Sequence, residues 1–121
     1  MRQFLSQLLA LATLSVPAAG AQAHAFLNQA VPPVGGAVPT SPKEIRLTFS
    51  EGIEPRFSGI EIATGDGQPV ATGPAVLDPG DDKLLVLSLP QLAPGQYRVR
   101  WHVVSVDTHR TEGDYTFTVG R

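Results

Sequence analysis

Three histidines and no cysteine define the metal chemistry open to this chain: His24, His102 and His109. In "VVSVDTHRTEGD", Asp107 stands two residues before His109. On extended backbone that spacing points both side chains to one side, so a carboxylate and an imidazole there form a two-point half-site for a metal ion. The same residues also read more plainly, as an aspartate capping a turn and a solvated histidine. In "GAQAHAFLNQ", His24 follows a run of small residues of the kind a signal peptidase cuts. A cut after Ala23 makes His24 the first residue, and its amine and Nδ1 then close a chelate on one ion. The amine must be neutral to bind, which is accessible near pH 7 because α-amino groups titrate at ~7.7–8.0. A cut after Ala21 puts the histidine third, which also chelates Cu(II), through amide nitrogens. A cut after Ala25 removes it. His102 lies opposite Trp101 on a strand-like run and reads as an outward or strand-packing residue. Glu51, in "TFSEGIEP", reads as an exposed carboxylate at a strand end.

The elements that must hold these residues together are strands. Ten of the eleven prolines lie after residue 23, spread among most of the glycines, and this density breaks helices repeatedly. Between the breakers sit short alternating runs. "EIRLTFS" places Ile45, Leu47 and Phe49 on one face; "SGIEIAT" places Ile60 and Ile62; "LLVLSL" places Leu85, Leu87 and Leu89. "QYRVRWHVV" aligns Tyr97, Val99, Trp101 and Val103 against Arg98, Arg100 and His102, and "DYTFTV" points Tyr115, Phe117 and Val119 inward. "TGDGQPV" between two of these runs is a hairpin signal, because Asp-Gly suits a tight turn. The expected fold is all-β, a small Greek-key sandwich or barrel of about seven to nine strands, immunoglobulin-like or cupredoxin-like, with no helical segment.

Composition narrows the function. Residues 1–23 read as a secretory signal peptide: Arg2, an apolar run from Phe4 to Val16, then Pro17 and small residues. The run is too short to span a bilayer. Residues 24–121 then form one domain, in a periplasmic or otherwise exported setting. Removing Arg2 leaves eight basic residues against 11 acidic, a net charge of −3, with no basic face for nucleic acid. The only methionine is Met1, so the part after residue 23 contains no sulfur, and any metal it binds is held by nitrogen and oxygen.

Three stretches resemble the CopC family of periplasmic copper-binding proteins: "HAFLNQAVPPVGGAV", "SPKEIRLTFSEGIEPRFSGIEI" and "PGQYRVRWHVVSVDTHRTEGDYTFTV". Together they span nearly all of residues 24–121. The resemblance implies a Greek-key β-sandwich and one Cu(II) ion held by the amine and imidazole of His24, by Asp107 and by His109. It also implies that Glu51 lies close to that copper, as a weak axial or outer ligand. His102 matches no family ligand. Some members carry a methionine-rich Cu(I) site, which this chain lacks the residues to build. Soft thioethers select Cu(I), while imidazole and carboxylate suit Cu(II). The implied role is sequestration, transport or resistance by a monomer, with no catalysis, and the implied partner is a CopD-type inner-membrane copper transport protein.

Two other readings use the same residues. A copper monooxygenase also employs an amino-terminal histidine chelate, but it needs open coordination positions and a broad, often aromatic surface for its polymer. Here the one Trp and both Tyr fall on core-facing positions. A metal-free interaction module on an immunoglobulin-like sandwich is permitted by fold alone.

Overall fold

The computed structural model describes residues 25–120. The expected signal peptide and His24 lie outside the described residues. Eight strands occur in chain order: β1 (Leu27–Val31), β2 (Ala37–Val38), β3 (Glu44–Phe49), β4 (Gly59–Thr64), β5 (Val76–Asp78), β6 (Asp81–Ser88), β7 (Gly95–Val104) and β8 (Arg110–Val119). They form two four-stranded sheets, ordered β1-β3-β6-β5 and β2-β8-β7-β4. Only the β5–β6 and β7–β8 connections stay within a sheet. The expected all-β sandwich is the fold observed. Among the described residues, its one helical element is a single 3-10 turn, Pro55–Phe57.

The alternating runs meet between the sheets. Ile45, Leu47, Phe49, Leu85 and Leu87 of one sheet face Ile60, Ile62, Tyr97, Val99, Val103, Tyr115, Phe117 and Val119 of the other, all buried. Each such side chain contributes about 1.5–3 kcal/mol on leaving water. Tyr97 stacks on Phe117, ring centroids 5.8 Å apart, and the edge of Phe49 meets Trp101 at 5.1 Å. Trp101 finds room because its cross-strand partner is Gly113, where a Cβ would lie 2.7 Å from the indole Cζ2.

"TGDGQPV" turns as expected, with Gly67 N–H donating to the Thr64 carbonyl, but the returning arm is only a fragment of a strand. Val70 N–H donates to the Ile62 carbonyl, and Ala63 forms one bridge with Pro69. Proline offers no donor to prolong such a ladder, and the chain crosses to the other sheet.

β7 and β8 position the chemistry. They pair antiparallel from Gly95↔Val119 to Val104↔Arg110, so one end of this long hairpin carries the connection 105–109. β1 runs beside β3 and brings the beginning of the described chain to that same end.

Candidate metal centre

The hairpin connection is built on Ser105, the next inward-facing position after Val103 and fully buried. Its N–H donates to the His109 carbonyl at 2.9 Å, and its own carbonyl accepts from Thr108 N–H at 2.8 Å. Thr108 sits at φ 72°, the left-handed region that non-glycine residues rarely occupy. Asp107 and His109 therefore do not lie on extended backbone, as their spacing suggested; a tight turn with a left-handed residue between them brings them together. His109 Nδ1 is 3.3 Å from Asp107 Oδ1. The Asp107 Oδ1 also accepts from the Ser105 hydroxyl and, at 3.4 Å, from His109 N–H. The Ser105 hydroxyl, opposed by partial desolvation and assisted by His109, holds the Asp107 carboxyl below the usual carboxylate range.

Two anchors tie this turn to its surroundings. Val106 N–H donates to the Gly52 carbonyl at 2.9 Å, and Ile53 bridges Ser105. Glu51 thus stands immediately before a residue bonded to the turn. On its other side, Ser50 N–H donates to the Phe26 carbonyl at 2.9 Å and Phe26 N–H donates to the Ser50 hydroxyl at 2.8 Å. Ala25 is buried at 1% exposure, and its carbonyl accepts from the Thr111 hydroxyl at 3.0 Å. The residue after His24 is therefore pinned between the strand that leads to Glu51 and the strand that leaves His109.

The donor set fits a borderline cation that accepts nitrogen and oxygen. Among the described residues, no group of three or more His, Cys, Asp or Glu side chains stands close enough to hold a metal ion. Asp107 and His109 are two such side chains, brought into contact by the turn. His102 lies elsewhere, on the outer face of its sheet, across from Gly59 and Glu112. Its imidazole leans over Gly59, where a Cβ would come within 2.9 Å of Cε1. Sequence reasoning missed Ser105. The signal was its parity: Val99, Trp101, Val103 and Ser105 share one face, and a buried polar residue in an apolar row needs a hydrogen-bond partner.

The CopC domain family matches residues 27–120. This chain belongs to the CopC family. Protein YobA of Escherichia coli strain K12 is 43% identical over 112 residues, which are 92% of this chain and 90% of that protein. The crystal structure of CopC from Methylosinus trichosporium OB3b superposes with a TM-score of 0.75 at 40% identity, covering 79% of this chain and 93% of that one. That of PcoC, a methionine-rich copper resistance protein from Escherichia coli, gives 0.73 at 38% identity, covering 80% and 99%. This CopC-family chain departs from the PcoC description in one plain respect, since its sole methionine is Met1.

Proposed function

We propose that the protein binds one Cu(II) ion in the periplasm and serves copper sequestration, transport or resistance. The ligands in this reading are the amine and imidazole of a processed amino-terminal His24, the Asp107 carboxylate and the His109 imidazole, with Glu51 close by. The observation that carries it is the pinning of Ala25 to Thr111, at the end of the sandwich where Asp107 and His109 meet. One peptide unit before Ala25 is His24. Three nitrogens and one oxygen suit the tetragonal preference of Cu(II), which also leads the divalent series in affinity for such donors. Family membership supports copper as the ligand, and the absence of cysteine and of any methionine beyond Met1 favours Cu(II) over Cu(I). Within this reading the protein is a copper carrier rather than an enzyme. The resemblance implies a partner, a CopD-type inner-membrane copper transport protein.

The test is a Cu(II) titration monitored by EPR on protein beginning at His24 and on a version with one extra residue before it. A nitrogen-rich tetragonal spectrum that the extension alters supports the site. Identical affinity and spectrum for both versions would remove the amino-terminal chelate from the reading.

A further inference from the structure

The two carboxylate oxygens of Asp107 have different surroundings. Oδ1 accepts from the Ser105 hydroxyl and from His109 N–H, and it faces His109 Nδ1. No hydrogen bond reaches Oδ2 among the described residues, and the side chain is 35% exposed. Ser105 itself has no freedom to turn away. It is fully buried, bonded through its N–H to His109 and through its carbonyl to Thr108, and bridged to Ile53 on the far side. Its hydroxyl has one further acceptor, the His109 carbonyl at 3.3 Å, a longer contact than the one to Asp107.

We propose that Ser105 is the positioning residue of the metal centre: its buried hydroxyl engages Asp107 Oδ1, so that Asp107 meets the metal through Oδ2 alone. This rests on the copper reading above and adds to it the denticity of the carboxylate and the group that sets it. A carboxylate on an exposed turn would otherwise lose rotamer freedom when it binds a metal. Here the donor is already in place, held by a fully buried residue. The hydroxyl also withdraws one oxygen from competition, which leaves a single direction of approach. Outer partners of this kind typically matter at the level of 10–100-fold in metal affinity.

The experiment compares four proteins, each beginning at His24: the unaltered chain, Ser105→Ala, Ser105→Thr and Asp107→Ala. Chelator competition gives the Cu(II) dissociation constant, EPR gives the coordination signature, and thermal unfolding of the metal-free proteins reports on the fold. Ser105→Ala should fold, bind Cu(II) about 10-fold more weakly and show shifted EPR parameters. Ser105→Thr, which keeps the hydroxyl, should restore both. Unchanged affinity and spectrum in Ser105→Ala, with binding lost in Asp107→Ala, overturns the positioning role and leaves the copper site standing. Unchanged binding in Asp107→Ala overturns the copper reading and this inference with it. Should Ser105→Ala fail to fold, NMR of the unaltered protein decides. A slowly exchanging Ser105 hydroxyl proton coupled to the Asp107 carboxyl carbon, kept when Zn(II) is added as a diamagnetic probe, supports the role. Its absence overturns it.

Discussion

At the scale of single residues, the turn holds one carboxylate firmly in its charged form. Because the Ser105 hydroxyl keeps the Asp107 carboxyl below the usual carboxylate range, protons do not compete for it in neutral or mildly acid solution. Acid release of copper should instead come from protons competing for the nitrogen ligands of the proposed site. A chelator-calibrated pH titration should therefore show binding weaken on acidification, with no separate loss in the usual carboxylate range. The same shift has a consequence for the metal-free fold. A depressed folded-state value stabilises above the unfolded value of 3.8, and that contribution disappears as pH falls through the lower, folded value. A second residue carries an opposite strain. The Tyr115 hydroxyl is buried with no hydrogen-bond partner among the described residues, and burial raises its pKa well above the usual phenol range. Tyr115→Phe removes an unpaired polar group while keeping the ring. It should leave the thermal midpoint unchanged or raise it, by a gain of up to about 1 kcal/mol.

At the scale of elements, the two glycines that meet aromatic rings separate rigid from yielding contacts. A Cβ at Gly113 would press on the indole of Trp101, which packs against Phe49 in a T-shaped pair. Gly113→Ala should cost about 1–3 kcal/mol, the usual range for overpacking, and shift the tryptophan emission. Gly59→Ala meets only the far end of His102, a half-buried side chain on the outer face, which can swing away. It should stay within about 0.5 kcal/mol of the parent. The long strands β3, β4, β6, β7 and β8 were legible in the sequence because each buries one face and so alternates with period two. β1, β2 and β5 were not, for a shared reason. β1 and β5 are edges of their sheet, β1 with a register shift between Leu27 and Gln29, and β2 is two residues paired parallel to β8. Short or register-shifted strands bury too little of either face to impose alternation, whereas β4, also an edge, buries Ile60 and Ile62 and alternates; β1 reads half-buried, exposed, exposed, half-buried, exposed. Asp107 and His109 of "VDTH" were legible as a pair but not as a turn, because threonine at Thr108 gives no warning of a left-handed backbone.

At the scale of the whole molecule, one end of the sandwich gathers segments from both ends of the sequence. Trp101, the single tryptophan, stacks on Gly113, two positions along β8 from the Thr111 that holds Ala25. It is thus a built-in reporter, and Cu(II) should quench its emission stoichiometrically while Asp107→Ala or His109→Ala should abolish the quenching at the same concentrations. Under the proposed ligand set, metal binding would tie the beginning of the chain to the β7–β8 turn, so it should also raise resistance to heat. At free copper a thousandfold above the dissociation constant, the gain is about 4 kcal/mol, read as an upward shift of the unfolding midpoint that a chelator reverses.

The hydrogen bond from Thr111 to Ala25 spans 86 positions, and that separation orders events in time. Chains are made from the amino end. β1 can pair with β3 as soon as residue 49 is available, yet the Ala25 carbonyl waits for the final strand to arrive. Whatever is gathered around the chain's beginning is therefore completed late, after residue 111 has been made. A nascent or truncated chain that stops before residue 111 would carry the early histidine without the frame that gives it companions.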